Sequence, residues 1–589
     1  PEHAPFSPQE RAAVDALMSS LSPDQRIWLA GYLSAAGSQA AAAAPPAAKS
    51  AVPLTVLYGT ESGNSEELAD VSAKAAKKRG FKPTLKNMAD LSPTDLAKFE
   101  HLLVIVSTWG EGDPPENAVA FCEGLMREEV DLSGVKFSVC ALGDTSYEHF
   151  CHTGKEVDRR LAQLGAKRVY DRQDCDVDYD DPHREWLDGA LAALAPAAES
   201  VAAQPAAPTA EVAASAYGKK NPFPSELSEK VLLSGERSQK ETWHYELSLE
   251  GSGLIYQPGD VLAVLPVNAP DMVEGVLAAA KLKGGEEVEI KGKGKKLLAD
   301  ALREDLEITT LSRAVMKKLL AAGGSDELNA LMADDAKEDF KEYLWGRWVA
   351  DAIVDFCPQG LAPEALVGIL RKLPPRLYSI ASSPLAHPDE VHLTVASVRY
   401  HTHERERKGV ASTYLADLVE AGQGVPVFVQ PNKNFRLPES DDTPMIMVGP
   451  GTGIAPFRAF VEHRKEAGAK GESWLFFGDQ HYTQDFLYQL EWQDHLKEGS
   501  LTRIDVAFSR DQPEKIYVQD RMREHAGELY DWLERGAHFY VCGDASKMAH
   551  DVHEALIDIV AEQGGKERSE AEAYVEALKK AKRYQRDVY

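Results

Sequence analysis

The sequence predicts a multidomain α/β protein: two blocks of alternating strand and helix flank a β-rich block that carries a helical insertion. Three observations carry this. First, two stretches rich in alanine and proline, GSQAAAAAPPAAKS (37–50) and APAAESVAAQPAAPTAEVAASA (195–216), make poor cores and good semi-flexible tethers. Second, between them the runs PLTVLYG (53–59), HLLVIVSTWG (101–110) and KFSVCALGD (136–144) alternate with helical text such as SEELADVSAKAAKKRG (65–80). Third, after the second tether the text turns β-rich at 217–266 and 374–437, helical at 267–373, and alternating again from Pro438.

Length and composition bound the rest. A chain of 589 residues is too long for one core. A formal net charge of −28 argues against nucleic acid or an anionic membrane as main partner and favours docking onto something basic. The six cysteines, Cys122, Cys140, Cys151, Cys175, Cys357 and Cys542, form no CxxC pair, so reduced thiols and a cytoplasmic location are expected, with no metal site. No apolar run approaches membrane-spanning length, and no signal peptide opens the sequence.

The elements read in order as follows. Residues 1–36 hold two short helices, each opened by Ser-Pro with an acidic or amide residue behind it (SPQE at 7–10, SPDQ at 22–25). The second exposes Ile27, Trp28, Leu29, Tyr32 and Leu33, a face that either packs on the chain itself or mediates self-association or partner docking. A linker spans 37–51, a doubly wound domain 52–194, and a second linker 195–216. A β-rich domain spans 217–437 with its insertion at about 267–373, and a nucleotide-binding α/β domain spans 438–589.

In the doubly wound domain, LYGTESGNSEE (57–67) is strand, hydroxyl-rich loop, helix. Thr60, Ser62, Asn64 and Ser65 offer donors beside a helix N-terminus, a cradle for a singly esterified phosphate because the GK[ST] of a triphosphate loop is missing. STWGEGDPPENA (107–118) and LGDTSYEHFC (142–151) end neighbouring strands and carry Trp109 and Tyr147, which can sandwich a planar ring; either alone also suits a core or a cap. Glu111, Asp113, Glu116 and the run DCDVDYDD (174–181) make an acidic face, either merely solvated or steering toward a basic electron acceptor.

In the β-rich domain, RLYSIASSP (376–384) and GVAST (409–413) stand together. Arg376 suits a pyrophosphate, Tyr378 can flank a ring, Ser379 can hydrogen-bond a ring nitrogen, and Gly409 lets backbone approach a second phosphate. VGPGTGIAPFRAF (448–460) is strand, glycine loop and helix, yet not the GxGxxG fingerprint. Ser509, Arg510, Lys515 and Tyr517 in SRDQPEKIYVQ (509–519) form a positive, hydroxyl-lined pocket that favours NADPH over NADH. In YVCGDASKMAHDV (540–552), Cys542 ends a strand and Asp551 lies in the helix behind it.

These motifs, in this order, resemble the NADPH-dependent diflavin reductases. The three loops of 57–151 are similar to the flavodoxin-type FMN domain, and the RxYS and GVAS pair to the FAD site of the ferredoxin–NADP reductase superfamily, a β-barrel with a helical connecting insertion. The N-terminal helices, LTRID (501–505), FSRDQ (508–512) and the terminal RYQRDVY (583–589) are more similar still to the flavoprotein subunits of bacterial assimilatory NADPH–sulfite reductases. The resemblance implies FMN contacts from Thr60, Glu61, Ser62, Gly63, Asn64, Ser65, Ser107, Thr108, Trp109, Gly110, Leu142, Gly143, Asp144, Tyr147, His149, Phe150 and Cys151. It implies FAD contacts from Arg376, Leu377, Tyr378, Ser379, Thr394, Val395, Ala396, Tyr400, Gly409, Val410, Ala411 and Ser412. It implies NADPH contacts from Gly451, Thr452, Ser509, Arg510, Lys515, Tyr517, Gln519 and Asp551, a reaction pocket of Ser379, Cys542 and Asp587, and a flavin covered by Tyr589. The implied route runs from NADPH to FAD to FMN to a haemoprotein subunit carrying sirohaem and an iron–sulfur cluster, for six-electron reduction of sulfite to sulfide. A reductase for another soluble haem enzyme, or an assembly scaffold with vestigial flavin loops, are the competing readings.

Overall fold

The computed structural model of the chain describes residues 52–61, 63–110, 112–195, 216–333 and 335–589. The helices expected within 1–36, the tether 37–51, residues 196–215 of the second tether, and Ser62 and Glu111 lie outside the described residues. Among the described residues, no helix is long and apolar enough to cross a membrane.

The first sheet is parallel and runs Phe81–Asn87, Val52–Gly59, His101–Ser107, Lys136–Leu142, Lys167–Arg168, with Gln173–Cys175 also pairing to Lys136–Leu142. HLLVIVS and KFSVCAL are buried almost end to end because helices cover both faces. The strand order reverses between Val52–Gly59 and His101–Ser107, which opens a crevice at their carboxyl ends. The helix Asn64–Lys78 starts in that crevice, with Glu66 and Glu67 in its first turn and Lys77 and Lys78 in its last, each sign matched to the helix dipole. Cys140, Cys151 and Cys175, far apart in sequence, meet in this domain: the Cys140 and Cys175 Sγ atoms lie 3.7 Å apart, all three as buried free thiols.

The second sheet is antiparallel: Arg376–Ser379, Val261–Val264, Gly424–Gln430, Phe223–Leu232, Thr242–Ser248, Glu390–Ala396. Its two edge strands meet through a bridge between Ile380 and Leu393, and Ala381 N–H donates to His392 O at 2.8 Å, so the sheet curls toward a barrel around Tyr245, Leu247, Leu262 and Leu393. The insertion builds its own core from helices including Pro270–Ala280, Arg313–Ala321 and Val349–Phe356, with a short hairpin, Glu287–Ile290 with Gly294–Leu297, that the sequence reading leaves out.

The third sheet is parallel and runs Arg503–Phe508, Ser473–Asp479, Met445–Val448, His538–Gly543, Tyr584–Val588. Tyr584–Val588 is therefore an edge strand, paired on one side only among the described residues. The helix Ala455–Ala467 ties this sheet to the barrel: Arg458 donates to Ala381 O at 2.7 Å and to His392 Nδ1 at 3.2 Å, while its Nε pairs with Glu491 at 2.6 Å. Tyr488 adds to the seam, its hydroxyl 3.0 Å from His244 Nδ1 and 2.6 Å from Thr394 Oγ1.

That seam is acid-sensitive. Burial, aided by the Arg458 charge, pushes His244 down to about 4 and His392 down to about 2. Burial alone dominates at His183 in the first domain, also pushed down to about 4. Between pH 6.5 and about 4 the unfolded chain binds protons that these folded-state histidines refuse, so stability must fall as pH falls. Each such group removes up to about 1.4 kcal/mol per pH unit in that window. The thermal unfolding midpoint should be lower at pH 5 than at pH 7; an equal or higher midpoint would contradict the neutral seam.

Candidate functional site

The first site lies at the crevice of the doubly wound sheet. Gly63 turns the chain at φ 87°, and no side chain caps the helix behind it, so backbone donors open into the loop. Thr60 Oγ1, Ser65 Oγ and Ser107 Oγ are buried with no hydrogen-bond partner among the described residues. Three orphaned hydroxyls at one strand edge are costly unless a polar guest meets them. A phosphate on a polyol chain fits that donor set, as FMN would supply. Trp109 closes a tight hairpin, donating to and accepting from Asp113 at 2.8 and 2.9 Å, and Gly110 and Gly112 make the turn at φ 49° and 123°. Gly143 is pressed against Cys151, where a Cβ would lie 2.7 Å from the Cys151 nitrogen. Tyr147 stands 49% exposed above the same edge, with His149 and Phe150 following. The Thr108 hydroxyl already accepts from Thr153 N–H at 3.2 Å, and Glu61 Oε2 accepts from Glu116 N–H at 2.7 Å.

The second site is an open groove along the barrel's Arg376–Ser379 edge. Leu377 is 43% exposed on that edge beside the exposed Arg376, and Tyr400, 42% exposed, lies in the hairpin Arg399–Thr402 with Arg405–Lys408, where the Trp348 indole donates to its hydroxyl. Gly409 has no room for a side chain, since a Cβ would meet Ser412 Oγ at 2.8 Å and Val398 Cβ at 2.9 Å. Cation, apolar wall and close backbone suit a dinucleotide flavin such as FAD. Two expected contacts do not use side chains: Thr394 turns its hydroxyl to Tyr488, and Val395 packs in the barrel core. Any contact from that stretch must come from the main chain or Ala396. Val410 and Ala411 are buried, and Ser412 Oγ already accepts from Val398 N–H at 3.1 Å.

The third site is the crevice of the nucleotide-binding sheet. Gly453 packs so closely that a Cβ would lie 2.1 Å from the Cys542 carbonyl oxygen. Gly451 adopts φ 59°, and Thr452 Oγ1 meets the Tyr589 hydroxyl at 2.9 Å. Arg510 donates to Gln239 at 2.5 Å, Ser509 Oγ to Asp479 O at 3.3 Å, and Gln519 to Asp551 at 3.3 Å, with Tyr517 44% exposed and Lys515 exposed beside them. The sequence reading misses Lys240, which reaches from the β-rich domain to pair with Asp479 at 2.5 Å beside Gly451.

Groove and crevice meet at the chain's end. Ser379 Oγ donates to Asp587 Oδ2 at 2.6 Å, the Cys542 thiol lies 3.9 Å from the same oxygen, and Asn432 Nδ2 lies 3.5 Å from Oδ1. Burial raises the Asp587 carboxyl above its ordinary range, opposed by the Ser379 and Cys542 hydrogen bonds. Burial and then the Asp587 charge push the Cys542 thiol well up, so it is no thiolate nucleophile at neutral pH. Tyr589 ends the chain 60% exposed, its N–H donating to Gly543 O at 3.1 Å.

The first domain faces this junction. Arg371 pairs with Asp144 at 2.6 Å, and Arg586 and Lys579 pair with Glu116 at 2.7 and 2.6 Å. Lys372–Asp178, Lys433–Asp70 and Lys219–Asp180 form a more exposed rim at 2.8, 3.2 and 2.8 Å. The run 174–181 is thus largely engaged with the chain's own cations: Asp174 with Arg172, Asp178 with Lys372, Asp180 with Lys219, Asp181 with Arg184.

Comparison with known proteins follows this division. The flavodoxin family model matches residues 56–186, the FAD binding domain 216–414 and the oxidoreductase NAD-binding domain 447–554. Over 599 aligned positions the chain is 48% identical to the sulfite reductase [NADPH] flavoprotein alpha-component of Bacillus subtilis (strain 168), covering 100% of this chain and 99% of that protein. Proteins of the same description from Yersinia enterocolitica and Vibrio parahaemolyticus are 43% identical over 99% and 100% of this chain and 98% and 96% of their own lengths.

The tight contact behind the nucleotide crevice is directly testable. Gly453→Ala forces a Cβ onto the Cys542 backbone, which cannot yield cheaply. Overpacking of this kind costs about 1–3 kcal/mol. The variant should melt lower and bind NADPH more weakly. A variant with wild-type melting and affinity would mean that glycine is not required there.

Proposed function

The chain belongs to the family of sulfite reductase [NADPH] flavoprotein alpha-components, and from that premise we propose that it carries electrons from NADPH by way of FAD and FMN to a haemoprotein subunit that reduces sulfite to sulfide. The observation that carries this reading is the convergence at one seam of the FMN-type loops, the Arg376–Ser379 groove and the Ser379–Asp587–Cys542 cluster. When bound, the two flavins supply the conversion from a two-electron donor to single-electron delivery.

The chain's residues bind, orient and cover. Thr60, Ser65, Ser107 and the helix start behind Gly63 would hold the FMN phosphate and polyol, and Trp109 and Tyr147 would flank its ring. Arg376 holds the FAD pyrophosphate, and Gly409 admits backbone to it. Arg510, Lys515, Ser509 and Tyr517 bind the NADPH 2′-phosphate. Ser379, Asp587 and Cys542 line the nicotinamide's landing place, where an un-ionised thiol and a hydrogen-bonded carboxyl shape and polarise the pocket. Tyr589 would cover the flavin face and give way to nicotinamide.

Three finer points complete the proposal. The tether 195–216 lets the FMN domain leave its dock and meet the haemoprotein. Residues 1–36 serve self-association or partner docking. The protein works in the cytoplasm, in keeping with its free thiols.

The decisive experiment is flavin analysis of the purified chain, followed by reconstitution with a sirohaem protein and NADPH-driven sulfide production. Both flavins and sulfide are expected; a chain holding neither flavin would overturn the reading. Arg510→Ala should raise KM for NADPH by about one to two decades while sparing NADH, because a charged hydrogen bond is worth about 1.5–3 kcal/mol. Equal losses with both nucleotides would remove Arg510 from the 2′-phosphate. Tyr589→Ala should narrow the NADPH-to-NADH preference in kcat/KM by about tenfold for each 1.4 kcal/mol of stacking released. An unchanged preference would mean that the ring does not compete with nicotinamide.

A further inference from the structure

Successive side chains of a strand point to opposite faces, and the last strand, Tyr584–Val588, uses both. On one face Asp587 accepts from Ser379 at 2.6 Å in the nicotinamide pocket. On the other, one residue earlier, Arg586 reaches the first domain: its Nε and Nη2 lie 2.8 and 2.7 Å from Glu116 Oε2. Lys579, from the helix just before, lies 2.6 Å from the other Glu116 oxygen. Glu116 is no peripheral anchor. Its N–H donates to Glu61 Oε2 at 2.7 Å, and the adjoining Asn117 side chain accepts from Thr60 N–H at 2.8 Å. Both belong to the phosphate loop. Burial acts to raise Glu116, and the Arg586 and Lys579 charges overcome it, so the carboxyl stays ionised.

We propose that Arg586 is a positioning residue that couples the two ends of the electron path: it fixes the FMN-side loop 107–118 to the same strand whose next residues, Asp587 and Tyr589, receive the nicotinamide. The inference rests on the diflavin reading above. Three features make the coupling mechanical. The strand is an edge whose one ladder among the described residues runs to His538–Gly543, so it can shift without breaking a second ladder. Its terminus is held lightly, by Tyr589 N–H to Gly543, Ala545 N–H to Tyr589 O, and the Tyr589–Thr452 hydroxyl pair. The Arg586–Glu116 pair is four-fifths covered on the arginine side and nearly three-quarters on the glutamate side, so water substitutes poorly when it breaks. A nucleotide that lifts Tyr589 therefore loosens Glu116, and with it the hold on Glu61 and Thr60.

Hydrogen exchange read by mass spectrometry tests this on the flavin-loaded chain, over peptides covering 107–118. In wild type, oxidised NADP⁺ should speed exchange there by about tenfold, the equivalent of about 1.4 kcal/mol of lost protection. Arg586→Gln should show that faster exchange without nucleotide and no further response to it. Arg586→Lys should keep a partial response, and exchanging the pair, Arg586→Glu with Glu116→Arg, should restore part of what either single change loses. Stopped-flow mixing with NADPH should show FAD reduction within twofold of wild type in Arg586→Gln and FMN reduction slowed about tenfold. The coupling is overturned if wild-type exchange in 107–118 ignores NADP⁺, if Arg586→Gln exchanges and responds as wild type does, or if FAD and FMN reduction fall together. The diflavin reading fails separately, through a wild-type chain that holds no flavin or is not reduced by NADPH.

Discussion

A single hydrogen bond, from Ser379 Oγ to Asp587 Oδ2 at 2.6 Å, sets where the rest of the molecule must lie. Ser379 belongs to the barrel edge and Asp587 to the last strand of a different sheet, so the bond can form only if barrel and nucleotide-binding sheet pack in one relative pose. Arg458, Tyr488 and Glu491 hold that pose from behind. Asn432 supports it from the barrel's far loop: its N–H donates to Asp260, and its side chain reaches Asp587. A buried carboxylate is costly without partners. Here the partners are a hydroxyl, a thiol and an amide, and burial raises the carboxyl above its ordinary range against the Ser379 and Cys542 hydrogen bonds.

Charge organises the second layer. The chain is strongly acidic, yet the docking of its first domain uses basic residues of the other two. Exposure separates the pairs that matter. Lys372–Asp178 has both side chains more than half exposed, and such pairs contribute about 0–1 kcal/mol. Arg371–Asp144 and Arg586–Glu116 are mostly covered, and breaking one partner of a covered pair costs more. These two covered pairs sit on Asp144 and Glu116, in the two loops that carry Tyr147 and Trp109. The contacts that dock the domain therefore also hold these two loops. The exposed rim adds steering, which salt screens.

Local chemistry was legible in the sequence wherever one short stretch carries it. HLLVIVS and KFSVCAL announce buried strands by composition alone, and GPGTG announces its turn by residue type. Partners across hundreds of residues were not. Glu116 read as part of a solvated or steering acidic face, because nothing near it in sequence shows that Arg586 and Lys579 close over it. Thr394 read as a cofactor contact, because the strand's alternation does not say which face meets Tyr488. Lys240 had no motif around it, and Cys140 and Cys175 looked isolated because parallel pairing places Leu142 opposite Cys175 only in the folded sheet. Periodicity gives faces; packing decides what each face meets.

The remaining contrast is between the two sides of the Ser379–Asp587–Cys542 cluster. One side is tight: Gly453, in the turn Gly451–Ile454, lies so close to the Cys542 carbonyl that a Cβ would meet it at 2.1 Å, and Cys542 stands in a strand paired on both sides. The other side is the free edge of that sheet and the end of the chain, with Tyr589 60% exposed. A reaction pocket that must admit a ring and then release it needs one wall that fixes distance and one that yields. An edge strand can shift while its single ladder holds, and Tyr584–Val588 is such a strand. A mid-chain strand would have to carry its neighbours with it. Tyr589 therefore sits on the yielding side, at the sheet's edge, while the Gly453–Cys542 contact forms the fixed one.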